Sequence, residues 1–277
     1  MRELLYSHSL VASGMQPNRW ILFMHGLFGK GSDWKKVARG LVNQRPDWGV
    51  ELVDLRLHGK SLGFSVPHTL EACAEDVRRL MTQKFGTAAQ ALLGHSLSGK
   101  VALTIVQSPP RGLRQVWVVD SGIGPSRIQG EGWRILSALR ATPGPFSTHE
   151  EALHQLMACG LFEGVAHWVT TNLRRSKGEF YWPWAVEDLA SLREDYVQKD
   201  LWHLIEERRR CGPQIHVLRA DKSHIMSRSS VARIRAAAAP RDHHVYYHHL
   251  SGGHAIHVKN TAGVVRLLAA ALPQSKA

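Results

Sequence analysis

The stretch Gly94-His95-Ser96-Leu97-Ser98-Gly99 comes directly after the apolar run Ala91-Leu92-Leu93, and together they predict a sharp turn from a buried strand into a helix. Such a turn strains the backbone of its serine and exposes the hydroxyl at the end of a sheet. The residues two positions away must be small, because strand and helix pass close together there. Gly94 meets this need, and Ser98 stands where a second glycine is usual. The pattern indicates a nucleophilic Ser96, although an ordinary Gly/Ser turn before a helix would look similar.

Strand-like and helix-like segments alternate along the rest of the chain. Apolar runs typical of strands occupy residues 20–24, 50–54, 91–93, 116–120, 215–218 and 245–249. Helical patterns occupy residues 34–41 with Ser32 as cap, 69–81, 100 onward, 231–239 and 261–272. This alternation predicts an α/β fold with a mostly parallel central sheet flanked by helices.

The pattern changes between residues 121 and 210. Helical periods and many tryptophans fill this segment, and no clear strand is predicted in it. We therefore expect a core formed by residues 1–122 and 211–277, interrupted by a helical cap at residues 123–210.

Composition limits the possible functions. The 277 residues carry 35 Lys and Arg against 23 Asp and Glu, a net charge of +12, but the one dense basic run is Arg208-Arg209-Arg210 and no nucleic-acid module is found. No apolar stretch is long enough to span a membrane, and the N-terminus lacks the apolar core of a signal peptide. Three widely spaced cysteines favour a reducing compartment. We expect a cytoplasmic protein that binds neither nucleic acid nor metal; its oligomeric state is left open.

A serine nucleophile needs a base, and His254 is the best placed histidine. It lies in the glycine-rich stretch Gly252-Gly253-His254, after the last predicted strand and before the last helix. His257 is the alternative, nearer the helix. The pairs His243-His244 and His248-His249 do not indicate a metal site, because adjacent side chains of a strand face opposite sides of the sheet.

The remaining parts are an orienting carboxylate and two backbone donors for the oxyanion. Asp120 ends one predicted strand and Asp221 follows another, and either could reach the base if the two strands are neighbours. The turn after residues 20–24, His25-Gly26-Leu27-Phe28-Gly29, would present the N–H of Leu27, and the nucleophile turn would present that of Leu97.

As a set, these motifs resemble the α/β-hydrolase superfamily, and within it the small esterases like bacterial YbfF and their uncharacterised plastid-type relatives. The resemblance is carried by residues 25–29 with Asp33-Trp34, by Asp54 to Ser61, by residues 94–100, by Phe180-Tyr181-Trp182 and by residues 253–257. It implies the α/β-hydrolase fold, Ser96 as nucleophile, His254 as base and Asp120 as acid. Ser98, Ala255 and Ser121-Gly122 depart from the family pattern and leave the substrate open.

The resemblance implies a hydrolase that cleaves a carboxylic ester or thioester without a cofactor. We expect the substrate pocket to involve His25, Phe28, His95 and Trp182. Two alternatives remain: a cofactor-free C–C or C–O lyase of the menaquinone-pathway type, and a non-catalytic ligand-binding protein on the same fold.

Overall fold

A mixed β-sheet forms the centre of the protein. The structure is a computed structural model, and it describes residues 4–127, 129–207, 211–239 and 244–274. Seven strands within these ranges form the sheet, in the order β1-β3-β2-β4-β5-β8-β9, and only β1 runs antiparallel to its neighbour. A separate hairpin pairs β6 with β7. The strands are β1 (Ser7–Leu10), β2 (Arg19–Met24), β3 (Trp48–Val53), β4 (Ala89–His95), β5 (Gln115–Val119), β6 (Arg174–Ser176), β7 (Glu179–Tyr181), β8 (Gln214–Ala220) and β9 (Val245–Leu250).

Helices cover both faces of the sheet and fill the long segment between β5 and β8. They are α1 (Lys35–Gln44), α2 (Leu70–Lys84), α3 (Leu97–Gln107), α4 (Glu131–Ala141), α5 (His149–Ala158), α6 (Glu163–Thr170), α7 (Val186–Gln198), α8 (His203–Glu206), α9 (Arg228–Ala238), α10 (Ile256–Lys259) and α11 (Thr261–Ala271). In the described ranges, no helix is long and apolar enough to cross a membrane.

The predicted α/β fold is confirmed, because the central strands are buried on both faces. Strands β3 and β5 have every residue buried, as parallel strands covered by helices must. Their side chains alternate between two apolar clusters: Val116 and Val118 lie in one cluster, and Trp117 and Val119 lie in the other.

The start of α1 differs from the prediction. Ser32 does not cap this helix; it lies in a 3-10 turn, Gly31–Trp34, and α1 follows with Trp34 as its N-cap and no side-chain cap bond. The turn arises because the Asp33 carboxylate accepts the Lys30 N–H, which fixes the backbone before the α-helix begins. In α2, by contrast, the Thr69 hydroxyl accepts the Ala72 N–H as a regular N-cap.

The segment from 123 to 210 is not purely helical. Helices α4 to α8 lie within it, but β6 and β7 form an antiparallel hairpin that the sequence did not predict. The two strands have three residues each, too few for an alternating pattern to be recognised. Residues 208–210, the basic run, lie outside the described ranges.

One buried lysine ties this segment to the sheet. Lys100 on α3 is fully buried, and its ammonium donates to the carbonyls of Tyr196 (2.6 Å), Lys199 (2.7 Å) and Gly124 (2.9 Å). The carbonyls of Tyr196 and Lys199 lie at the carboxyl end of α7, where the helix dipole favours a positive charge. The helix that starts at Leu97 is therefore bonded directly to the inserted segment.

Candidate active site

The turn between β4 and α3 has the strained geometry that the sequence predicted. Ser96 has φ 56° and ψ −118°, and its N–H donates to the Val119 carbonyl of the neighbouring strand at 3.0 Å. Gly94 has no alternative here, because an added Cβ would overlap the Ser98 carbonyl oxygen. Gly99 is required for the same reason, since its Cβ would overlap the Ser121 side chain.

Ser98 does more than replace a glycine. Its hydroxyl accepts the His95 N–H at 2.8 Å and donates to the Met24 carbonyl at 2.9 Å, so the turn is fastened to the end of β2. This residue is fully buried, and a buried hydroxyl without partners would be costly. The departure from the family pattern therefore has a structural use that sequence reasoning missed.

Ser96, His254 and Asp120 form one chain of hydrogen bonds. The Ser96 Oγ lies 3.0 Å from His254 Nε2, and His254 Nδ1 lies 2.7 Å from Asp120 Oδ2. The Asp120 carboxylate is fully buried, whereas the His254 side chain is 41% exposed. An acid–base group must reach both its partner and a substrate. The exposed imidazole of His254 is therefore suited to proton transfer, whereas the buried carboxylate of Asp120 is not.

Of the two predicted acids, Asp120 contacts the histidine and Asp221 does not. Asp120 follows β5 with φ 44°, and its second oxygen accepts the Ala220 N–H at 3.2 Å. Asp221 is exposed and accepts the Gly252 N–H at 2.8 Å, a bond that lowers the pKa of its carboxyl. Asp221 thus anchors the loop that carries His254, and only the positions of β5, β8 and this loop reveal the difference.

His95, which was also predicted for the pocket, lies behind the loop that carries His254. It is buried, its Nε2 donates to the His254 carbonyl at 2.9 Å, and its ring lies 4.6 Å from that of His254. Burial, with His254 and His257 nearby, lowers its pKa well below the usual range, so the ring stays neutral. His257, the alternative base, stacks on Trp34 at 4.7 Å, and burial lowers its pKa to about 4.

The loop after β2 passes beside the nucleophile. An added Cβ at Gly26 would come within 3.2 Å of the Ser96 Cβ, and the Gly29 N–H closes a tight turn onto the Gly26 carbonyl at 3.0 Å. No acceptor on another described residue is found for the N–H of Leu27 or of Leu97. Backbone N–H groups without an acceptor among the described residues, in the nucleophile turn and in the loop that passes it, are the kind of donors that an oxyanion site uses.

Two buried histidines hold this loop. His25 Nε2 accepts the Leu55 N–H at 3.1 Å while its Nδ1 donates to the Gly26 carbonyl at 2.7 Å, and His58 Nε2 accepts the Phe28 N–H at 3.1 Å. Burial lowers the pKa of His25 to about 4 and that of His58 to about 3, so both rings are neutral acceptors. His25 is 1% exposed and supports the loop from behind, and its place in a substrate pocket stays a prediction.

Two aromatic residues were predicted for the pocket. Phe28 lies in the loop after β2, and Trp182 lies in the segment 123–210, which we call the insertion. Phe28 is buried with φ 63°, meets the rings of Trp168 and Trp184 edge-on, and its carbonyl accepts from Asn172 at 3.0 Å. Phe28 therefore joins the loop to the inserted segment. Trp182 donates to the Thr142 carbonyl and stacks on Trp184, and none of its bonds or ring contacts in the described ranges reaches Ser96 or His254. The prediction of Trp182 as a pocket residue finds no support in these contacts, because the fold directs its indole into the insertion.

The pair His248-His249 lies in β9, and its two rings contact different neighbours, as the period of a strand requires. His248 contacts His216, with 3.0 Å between Nε2 and Nδ1, and His216 stacks on Trp117. His243 lies outside the described residues. Across the described ranges, no group of three His, Cys, Asp or Glu side chains could hold a metal ion.

Comparison with known proteins identifies the family of this chain. The family described as "Alpha/beta hydrolase family" matches residues 21–267. The sn-1-specific diacylglycerol lipase ABHD11 of Mus musculus is 28% identical over 211 residues, covering 74% of this chain and 66% of that protein. A 2-succinyl-6-hydroxy-2,4-cyclohexadiene-1-carboxylate synthase of Pectobacterium atrosepticum is 36% identical over 97 residues, 35% of each chain.

The chain spans just under two thirds of the length of the mouse relative, and 56% of the length of its Danio rerio counterpart. Among solved structures, a marine microorganism esterase superposes with a TM-score of 0.78 at 19% identity, covering 96% of this chain and 98% of that one. That likeness shows the fold. Because the family match extends over most of the sequence and both the nucleophile turn at Ser96 and the sheet order agree with it, the chain belongs to the alpha/beta hydrolase family.

Proposed function

We propose that this protein is a serine hydrolase that cleaves a carboxylic ester or thioester through an acyl-enzyme on Ser96. The observation that carries the proposal is the continuous hydrogen-bond chain from Ser96 Oγ through His254 to the buried Asp120. Nucleophile, base and orienting acid lie within hydrogen-bond distance before any substrate is present, which is the geometry that nucleophilic catalysis requires.

In the first half of the reaction, Ser96 Oγ attacks the acyl carbonyl carbon while its proton passes to His254 Nε2. Asp120 accepts the Nδ1–H, so that Nε2 is the basic nitrogen, and its negative charge stabilises the imidazolium that forms. The oxyanion is stabilised by the N–H groups of Leu27 and Leu97. His254 then gives its proton to the leaving alkoxide or thiolate, and the acyl group remains on Ser96.

In the second half, water replaces the leaving group. His254 takes a proton from the water as its oxygen attacks the acyl-enzyme carbonyl, and Ser96 Oγ leaves and recovers a proton from His254. The exposed fraction of His254 allows water to reach it. Since both halves use only water, the substrate, these three side chains and the two backbone N–H groups, the proposed mechanism needs no cofactor.

The substrate class rests on the same site. The mouse relative is named as a diacylglycerol lipase, and that name supports an ester substrate here. We further propose that residues 123–210 act as a cap, because Phe28 and Lys100 join the nucleophile region to that segment. Within such a cap, Trp168 meets Phe28 edge-on and is 36% exposed, so its indole would offer an apolar surface to an acyl chain.

The first test is hydrolysis of p-nitrophenyl esters from acetate to palmitate by the wild type and by Ser96→Ala. We expect turnover by the wild type and none above background in the variant.

Asp120→Asn and Asp221→Asn form a matched pair at the carboxyl ends of neighbouring strands. Asp120→Asn should lower kcat by roughly 10⁴-fold, as loss of the triad acid does elsewhere, and Asp221→Asn should keep most activity. Equal losses in both variants would overturn the assignment of Asp120.

Two other functions are separated by simple measurements. The synthase relative keeps a lyase as an alternative, but it aligns with only 35% of the chain. Turnover of that synthase's substrate with no hydrolysis of any ester would favour the lyase. A ligand-binding protein would leave Ser96 unlabelled by a fluorophosphonate probe, whereas a hydrolase labels there and loses labelling in Ser96→Ala.

A further inference from the structure

A cleft lies at the same edge of the sheet as Ser96, beyond the loop that carries Leu27. It has a volume of about 470 Å³ and is bounded by the turns after β2 and β3, by the start of β1 and by residues 171–174 of the insertion. Ser96 is not among its lining residues. In α/β sheets, ligands bind at the carboxyl ends of the strands, so this cleft has the position of a binding site.

Four positively charged side chains line the cleft. Lys30, Lys35 and Lys60 come from the core, and Arg174 comes from the insertion. In the part of the chain that the structure describes, none of the four makes an ion pair with a carboxylate. Other basic residues of the same chain do so readily; Arg140, for example, makes a two-pronged bond to Glu187.

The bonds that these cations do make are to neutral groups. Lys30 Nζ donates to the Thr171 carbonyl at 3.0 Å, Lys60 Nζ donates to the Tyr6 hydroxyl at 3.3 Å, and Arg174 donates to the Gly59 carbonyl. None of these partners cancels a positive charge. Like charges around a single concave surface repel each other, and this repulsion is relieved when an anion binds between them.

The one carboxylate in the cleft is already occupied. Asp54 Oδ1 accepts the Gly31 N–H at 2.7 Å, and Oδ2 accepts the Lys60 N–H at 2.8 Å. Both oxygens therefore serve the backbone of the two turns rather than the lysine side chains. Four cations against one carboxylate leave a charge of +3 on the lining residues.

We propose that this cleft binds a small organic phosphate. A phosphate ester carries nearly two negative charges and three acceptor oxygens, which matches several separate cations better than one carboxylate would. The volume exceeds that of the phosphate group, and Leu52, Leu173 and Pro183 provide apolar wall for the organic part. Because Arg174 belongs to the insertion and the lysines to the core, a bound phosphate would bridge the two.

The test is isothermal titration of the full chain with phenyl phosphate and with pyrophosphate at low ionic strength. The variants are Lys35→Ala, Lys60→Ala and the control Lys36→Ala, which removes the same charge from the next position of α1, outside the cleft. We expect one site per chain, with the dissociation constant raised about tenfold in each cleft variant by loss of a charge-assisted bond and changed by less than about twofold in the control. Ser96→Ala should bind like the wild type.

Several results would overturn the proposal. They are no heat of binding with either phosphate, equal weakening by Lys36→Ala, and unchanged affinity in both cleft variants. Citrate, an anion without a phosphate group, tests whether the cleft selects phosphate or binds any anion. Equally tight binding of citrate would contradict the phosphate assignment. Association with phosphatidylserine vesicles without binding of either soluble phosphate would also contradict a small-molecule site. All of these readouts are independent of ester hydrolysis, so this proposal and the proposed function can fail separately.

Discussion

Lowering the pH should strongly destabilise this protein, and the loss should begin at pH values higher than those at which its carboxylates titrate. Burial lowers the pKa of His25 to about 4 and that of His58 and His216 to about 3, against 6.5 in an unfolded chain. Between pH 6.5 and these values, the three imidazoles are protonated in the unfolded chain but neutral in the folded chain. The free energy of unfolding therefore falls as the pH falls through that window.

The magnitude follows from the same values. At pH 5.5 the unfolded imidazole is about nine-tenths protonated and the folded one almost neutral, which costs about 1.4 kcal/mol for each histidine. The three together cost about 4 kcal/mol relative to pH 7.5, and His95 and His257 act in the same direction. A domain has roughly 5–15 kcal/mol of stability, so this loss is a large part of the total.

Urea unfolding at pH 7.5 and pH 5.5, followed by the fluorescence of the nine tryptophans, measures this loss. His216→Phe should make the loss smaller by about 1.4 kcal/mol, because a phenyl ring keeps the stack on Trp117 and Tyr246 but cannot bind a proton. His58→Gln should act likewise, with an amide that still accepts the Phe28 N–H. The exposed His154→Gln is the control and should keep the full loss.

A loss below about 1 kcal/mol between the two pH values would refute the reasoning, since three buried imidazoles cannot then be neutral in the folded chain. A full loss retained in both His216→Phe and His58→Gln would refute it equally.

Three further predictions concern the nucleophile turn and its supports. Lys100→Met keeps the apolar stem but leaves three carbonyls without a donor, so the free energy of unfolding should fall by about 3 kcal/mol in urea melts; an unchanged midpoint would contradict the tie to the inserted segment. Gly94→Ala should abolish fluorophosphonate labelling of Ser96, because its Cβ overlaps the Ser98 carbonyl; wild-type labelling would show that the turn is looser than its geometry indicates. His95→Phe keeps the ring but loses the N–H that bonds the His254 carbonyl, and should lower kcat about tenfold with little change in KM; a change in KM alone would place His95 in substrate binding instead.

Sequence reasoning located the residues that must come at particular points along the chain. The nucleophile turn around Ser96, the glycine-rich stretch before His254 and the aspartate that follows β5 are local features, because each depends on a backbone turn or on the end of a strand. The mostly parallel sheet was also accessible, since alternating apolar runs and helical periods predict one, but strand β1 and the order of the strands were not predicted. The short hairpin of β6 and β7 was not, because three-residue strands have no readable period.

Side-chain direction was the part that sequence patterns could not supply. His25, His95 and Trp182 were expected in a substrate pocket, yet His25 supports the loop after β2, His95 supports the His254 loop and Trp182 bonds within the insertion. A histidine has the same chemistry in each of these places. Its role depends on which carbonyl or N–H the fold brings within 3 Å of each ring nitrogen.

The sequence by itself determined the α/β architecture, the strained serine turn and the histidine loop, because glycine spacing and apolar periodicity act through the local backbone. Only the tertiary structure decided that Asp120 rather than Asp221 contacts His254, and that Ser98 and Lys100 fasten the turn to β2 and to α7. The same holds for the four cations gathered around one cleft. These relations join residues far apart in the chain, and they exist only once the packing of strands, helices and insertion has fixed distances that no local pattern encodes.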